Sequence, residues 1–429
     1  SRGDRFLLSF SGGAPDSTRT QLRIQTDKDG DGITVGDPIF DTQSGGRGQG
    51  GAHDFQIISI QTHDGRTATA EAMVSDGGQE LVVNLQNFRA GDRLEFTLDV
   101  DEVLRNSLDL AVFNDRLDVI TSGQEFQDSI LEAVFEAPHY ESASADAIFL
   151  NDYGTPNLEL GLDLPPDEGN GIDSRPNRSA AAIGSTMQTP KPVAISGYVW
   201  LDNNLDALWQ DSEAGLADVE LTLLSAGIGG QYFDTGLRAR TDSNGRYEFS
   251  KSLGLQPGDY RISQTQPSGL FSVAAVPGFV DGELTGVETN VDVLSAIQIP
   301  LGDLEAIEMN FAEAAPASVS GFVYSDQNNN GVRESGESAI AGVTMRLTPV
   351  DTLAPQQTMT AVTDASGSYS FDGLVPGAYE IVQVDQPSDY VDGLDSPGTI
   401  RNVVVGEAQN PGDRIRGVQL DGGDVGLEY

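Results

Sequence analysis

Val219, Leu221 and Leu223 alternate with Glu220 and Thr222, and the same beat returns in Val343, Met345 and Leu347 around Thr344 and Arg346. A period of two puts successive side chains on opposite faces, so both stretches predict half-buried strands. Between such runs stand Asp-Ser-Asn-Gly at 242–245 and Asp-Ala-Ser-Gly at 364–367. Aspartate starts a turn and glycine accepts a positive φ, so these predict hairpin turns. Short alternating strands with regular turns predict an immunoglobulin-like sandwich.

The chain also aligns on itself, over one 28-residue stretch without a gap. SGYVWLDNNLDALWQDSEAGLADVELTL from Ser196 matches SGFVYSDQNNNGVRESGESAIAGVTMRL from Ser320. The match resumes as TDSNGRYEF against TDASGSYSF and LQPGDYRI against LVPGAYEI, and each copy closes on a similar strand, MNFAE or VGLEY. Two homologous modules follow, drawn at 195–313 and 314–429. Upstream, RFLLSF, DFQIISIQT, ATAEAMV, ELVVNL, DRLEFTLDV, AVFEA and AIFLNDY are separated by Gly, Asp and Ser. They predict a separate, larger and jelly-roll-like β-sandwich over 1–163, so the whole chain reads as all-β. Residues 164–194, rich in Pro, Gly and Ser and poor in aromatics, read as a linker. Such a segment stays ordered only where its own domains or another copy of the chain hold it.

Composition narrows the partners. Among 429 residues, 66 acidic side chains against 24 basic ones give a net charge of -42. That field repels nucleic acid and anionic membranes and favours cations. With no cysteine, disulfides cannot brace a secreted chain, and calcium is the natural substitute. No apolar run approaches the roughly 20 residues of a transmembrane helix, and the start at Ser1 without Met or an apolar leader suggests a processed or trimmed product.

Calcium chemistry has a specific candidate. DQNNNGVRESGE places Asp326, Asn328, Asn330, Gly331, Glu334 and Glu337 at positions one, three, five, six, nine and twelve. Short oxygen ligands at one, three and five, a backbone carbonyl at seven and a two-oxygen Glu at twelve are what a hard cation takes from such a loop. The sister loop DNNLDALWQDSE keeps Asp202, Asn204, Asp206 and Glu213, with Ala207 in place of the glycine and Gln210 at the ninth position. A left-handed Ala207 costs on the order of 1 kcal/mol relative to Gly, which predicts weaker binding there. With strands on both sides, neither loop belongs to a pair of EF-hand helices, and the metal is expected to be structural. DKDGDGITVGD offers Asp27, Asp29, Asp31 and Asp37, either a third calcium loop or a plain acidic turn. Asp99, Asp101 and Glu102 offer an additional candidate site, against the commoner reading of solvent-facing carboxylates at a strand end. His53, His63 and His139 lack the spacing of a helical zinc site and read as isolated; no nucleophile elbow or phosphate loop is present.

SGYVWLDNN…DSEAGLADVELTL…TDSNGRYEF…LQPGDYRI and its copy resemble the SdrD B-like domains of bacterial surface adhesins, relatives of collagen-adhesin B-type modules. The resemblance implies calcium-stiffened sandwiches arranged as stalks, with ligands at Asp326, Asn328, Asn330 and Glu337 and at Asp202, Asn204, Asp206 and Glu213. The Lys–Asn crosslink of many collagen-adhesin relatives cannot form in the second module, which has no lysine; the first has Lys191 at its approach and Lys251. A non-enzymatic, extracellular structural or adhesive surface protein is expected, with self-association or other surface proteins as partners. Two alternatives stand beside it: a filament subunit exchanging strands or linkers between chains, and an N-terminal module that grips a polysaccharide or host ligand.

Overall fold

The structure, a computed structural model, describes residues 3–34, 36–46, 48, 52–103, 126–151, 179–184, 188–410 and 412–429. The chain forms two compact units, Ser1–Lys191 and Pro192–Tyr429. Among the described residues every regular element is a strand apart from the 3-10 turn Lys251–Leu253, and no helix is long and apolar enough to cross a membrane.

The first unit is a β-sandwich. Its strands are β1 (Asp4–Ser9), β2 (Thr18–Gln25), β3 (Pro38–Asp41), β4 (Gln56–Gln61), β5 (Thr69–Val74), β6 (Glu80–Arg89), β7 (Arg93–Glu102), β8 (Ile130–Ala137) and β9 (Tyr140–Ile148). One sheet runs β5-β6-β2-β8-β9, and in the other β7 pairs with β1 and β4 along its first half and with β3 along its second. Alternation puts Leu81, Val83 and Leu85 of β6 and Leu94, Phe96, Leu98 and Val100 of β7 in one core. This burial of apolar side chains is the main term holding the sheets together. The described parts of the linker are gripped by this unit's own backbone. Ser179–Ala180 pairs with Leu150–Asn151, Glu141 N–H donates to Thr189 O at 2.8 Å, and Lys191 N–H donates to His139 O at 3.0 Å. Residues 152–178 and 185–187 of the expected strand end and linker lie outside the described residues.

The second unit holds the repeated sandwiches. In the first copy a sheet around Ala194–Leu201 faces a sheet ordered Tyr232–Arg240, Glu220–Ala226, Gly258–Gln264, Val293–Ile299, Val287–Asn290. In the second, a sheet around Ala317–Phe322 faces one ordered Met359–Val362, Thr344–Thr352, Gly377–Gln383, Arg414–Leu420, Glu407–Gln409. Equivalent tyrosines lock equivalent places: Tyr247 donates to Met309 O, and Tyr369 donates to Tyr429 O at 3.0 Å. Strand Asn310–Ala314 of the first copy and strand Ala317–Phe322 of the second are separated by Ala315 and Pro316.

The two predicted hairpins are corrected. Asp242–Gly245 and Asp364–Gly367 do turn, with Gly245 N–H on Asp242 O at 3.0 Å and Gly367 N–H on Asp364 O at 2.9 Å. However, each turn carries the chain from one sheet of its sandwich to the other. Gly245 lies against the strand below it: Val199 N–H donates to Gly245 O, and a Cβ there would fall 2.2 Å from Val199 O. Packing on that strand aims the exit toward the opposite sheet.

Candidate metal centres

The loop 326–337 follows strand Ala317–Phe322 and is pinned at its exit by a bridge between Tyr324 and Ala339. Its side chains fold inward onto its own backbone. Asp326 Oδ2 accepts Gly331 N–H at 2.7 Å, Asn328 Oδ1 accepts Asn330 N–H at 3.1 Å, and Asn330 Oδ1 accepts Val332 N–H at 2.8 Å. Glu337 closes the ring with both oxygens, taking Gln327 N–H at 3.1 Å and Glu334 N–H at 2.9 Å. Glu334 is drawn to Asn328, whose Nδ2 donates to it at 2.7 Å. Burial pushes the Asp326 carboxyl up, but N–H groups of Gly331, Asn330, Asn329 and Asn328 outweigh it and hold the group below its ordinary value. Asp326 Oδ1, by contrast, is buried and has no hydrogen-bond partner. Gly331 takes φ 73°, as the sharp turn requires, and the Ser396 hydroxyl donates to its carbonyl.

The sister loop repeats this pattern at its first, fifth and twelfth positions and differs at the third and ninth. Fully buried Asp202 accepts Ala207 N–H at 2.8 Å and Asp206 N–H at 3.3 Å. Glu213 takes Asn203 N–H and Gln210 N–H, both at 3.1 Å. Asp206 accepts Leu208 N–H at 2.8 Å and the amides of Asn204 at 2.9 Å and Gln210 at 2.6 Å. Ala207 does take the left-handed conformation, φ 58°. One anchor was not legible in the sequence. The side chain at the eighth position packs on an aromatic of the preceding strand in both loops, Trp209 on Tyr198 at 4.2 Å between centroids and Arg333 over Phe322 at 3.8 Å. The residue types differ, which hid the equivalence.

The loop 27–37 also converges. Asp27, Asp31 and Asp37 each bring a carboxylate oxygen to within 4.8 Å of the others. Asp27 caps Gly30 N–H at 2.8 Å and Gly32 N–H at 3.1 Å. Asp37 is buried and accepts Thr34 N–H at 2.8 Å and the Gln79 amide at 3.2 Å. A shared hydrogen bond with Asp29, then burial and the charges of Asp29, Asp27 and Asp37, hold Asp31 above its ordinary value. All four candidate aspartates of this loop thus act on one another.

Two other readings change. Asp101 is not solvent-facing but 3 % exposed. Nor is His63 isolated: its Nδ1 lies 3.3 Å from Asp92 Oδ1. Asp92 is already engaged by the N–H groups of His63 at 3.1 Å and Arg89 at 2.7 Å and by the Arg66 guanidinium, the arrangement of a clamp on a turn.

A family model, SdrD B-like domain, matches residues 193–296 and 317–412. Serine-aspartate repeat-containing protein F of Staphylococcus epidermidis is 34% identical over 203 residues, 47% of this chain and 11% of that protein. Serine-aspartate repeat-containing protein D of Staphylococcus aureus is 27% identical over 274 residues, 59% of this chain and 20% of that protein. The chain therefore spans a tenth to a fifth of the length of these curated relatives. Among solved structures, the minor pilin of Streptococcus agalactiae overlaps 55% of this chain and 96% of its own at 12% identity, with a TM-score of 0.22. The self-alignment, the paired sandwiches and the family match agree on two SdrD B-like domains in tandem, at 193–296 and 317–412.

Proposed function

We propose that this chain is a non-catalytic spacer of a surface protein, in which calcium (Ca2+) held by 326–337 and 202–213 stiffens the tandem domains that carry the first sandwich. The observation that carries the reading is the buried, unpartnered Oδ1 of Asp326 in a ring of oxygen donors. An oxygen so placed costs stability until a cation or proton meets it. The donor set fits: Asp326, Asn328, Asn330 and Glu337 in one loop, Asp202, Asn204, Asp206 and Glu213 in the other, all hard oxygens. Calcium, when bound, supplies positive charge that ties these oxygens together. The chain's own part is to hold the loops nearly closed beforehand, through Glu337, Glu213 and the left-handed residues Gly331 and Ala207.

Position supports a mechanical role. The loop at 202–213 lies by the junction of the two domains, where Asp202 N–H donates to Glu313 O at 2.8 Å and the charge of Asp202 acts on Asp421 of the second copy. Small-angle scattering of the full chain tests the reading. Calcium is expected to lengthen and narrow the particle relative to chelator, and superimposable profiles would refute it.

Self-association through an open sheet edge is the second reading. Among the described residues β1 pairs with β7 alone, and its Leu7 is 44% exposed. If β1 recruits a second copy, light scattering finds oligomers that disappear when residues 1–10 are deleted.

A further inference from the structure

Ser17 and Arg19 stand two residues apart at the start of β2 with half-exposed Thr18 between them, so both turn to the buried side of the sheet. Arg19 is 7% exposed and Ser17 4%. The register sets Arg19 between Phe88 of β6 and Phe135 of β8, and Phe10 enters from the end of β1. Cζ of Arg19 lies 5.2 Å from the ring centroids of both Phe10 and Phe135, which are themselves 5.7 Å apart. The two rings therefore cover the guanidinium from one side and offer it no acceptor.

What this cation lacks is an anion. A buried charge is costly unless it is paired, yet the carboxylates around Arg19 are all turned elsewhere. Asp16 pairs with Arg89 at 3.1 Å, Asp92 is held by the Arg66 guanidinium and the Arg89 N–H, and Glu136 stands opposite Thr18 on the outward side of β8. Burial alone lowers the Arg19 guanidinium to about 10, which leaves it charged at neutral pH. Arg19 Nε and Ser17 Oγ are both buried with no hydrogen-bond partner. They flank the same ring, since a Cβ placed on Gly13 would lie 3.0 Å from Ser17 Oγ and 3.7 Å from Phe10 Cζ. A residue without a side chain keeps that approach open.

We propose that Arg19 and Ser17 form a receptor for one carboxylate group of a small organic or sugar acid, with Phe10 and Phe135 as its apolar wall. A guanidinium presents its donors in one plane, a carboxylate answers with two oxygens in one plane, and the Ser17 hydroxyl has a donor to spare for the same group. Charge selects the class. One carboxylate neutralises one guanidinium, whereas sulfate or phosphate would carry a second negative charge into a buried site of a chain whose net charge is already -42. That same field opposes a second copy as the donor, and a side chain 7% exposed admits a small group more readily than a protein surface. The first sandwich thereby gains a ligand of its own, independent of the calcium loops.

The test follows the Nε–Hε nuclear magnetic resonance signal of Arg19 in the full chain, assigned by its loss in Arg19→Lys, as sodium acetate or sodium glucuronate is added in chelator at constant ionic strength. A saturable shift with both acids is expected, with none from sodium sulfate and none from diluting the protein. Ser17→Ala should weaken the binding several-fold. Arg19→Met, which keeps apolar contact with both rings, should melt higher than the parent in carboxylate-free buffer because an unpaired buried charge is gone, and its melting should ignore both acids. If the parent signal ignores both acids and Arg19→Met melts lower, the guanidinium only packs against the rings and the site is refuted. A shift that sulfate produces equally, or that protein concentration produces without added acid, refutes the small carboxylate as the ligand.

Discussion

Ala207 occupies, at φ 58°, the left-handed place that Gly331 fills at φ 73° in the other domain. Both N–H groups point at the first aspartate of their loop, Ala207 to Asp202 and Gly331 to Asp326. The two loops therefore share one backbone path, and the alanine accepts strain to follow it.

Ala207→Gly should stabilise the first domain and tighten its metal binding. Removing the Cβ relieves on the order of 1 kcal/mol of left-handed strain, partly offset by the freer unfolded chain. The converse Gly331→Ala should cost more than Ala207→Gly gains, because the new Cβ would meet Ser396 Oγ at 2.9 Å. Calcium titrations of the two variants check both signs.

Thr363→Val should destabilise the second domain by about 1–3 kcal/mol, the usual cost of stranding a buried polar group. The Thr363 hydroxyl accepts Val343 N–H at 2.9 Å and donates to Ile340 O at 2.8 Å. Thr363→Ser, which keeps the hydroxyl, should lose much less in denaturant unfolding.

Much of this was readable in advance, for reasons of locality. The twelve-residue loops gather because their ligands are neighbours in sequence, and the left-handed alanine followed from one aligned glycine. What depended on strand pairing was not. Turn chemistry at 242–245 named a turn, but whether the next strand stays in the same sheet depends on packing against Val199. Asp101 looked like a surface carboxylate because nothing in DRLEFTLDVDE reveals that β3 lies alongside with Asp41. Glu313 likewise gives no sign of burial in NFAEA, yet that strand is covered on both faces and Glu313 is buried against Gln264 and Gln266.

Without calcium, stability should fall as pH rises from about 4.5 to about 7. Burial pushes Glu313 up to about 7 from 4.5, against hydrogen bonds from Gln266 and Gln264 and with help from Asp292. Burial likewise raises Asp395 to about 6. The native chain thus holds protons that the unfolded chain has released, so stability is greatest at the acid end of this window and level above it. Asp234, held at about 2 by Arg238, acts in the opposite sense only below about 4. Glu313→Gln should flatten the slope for the second unit and raise its stability at pH 7.5 by about 1–3 kcal/mol. A melting temperature that climbs through this window would contradict the account.

Calorimetry of the full chain in chelator and in calcium of millimolar order tests the central claim most directly. Binding at a hundred times the dissociation constant adds about 2.7 kcal/mol, so the transition of the second unit should rise by roughly 5–10 °C. Glu337→Ala should remove more of that rise than Glu213→Ala, since the loop at 326–337 has glycine at its turn. Superimposable scans with and without calcium would contradict the claim that these loops are metal sites.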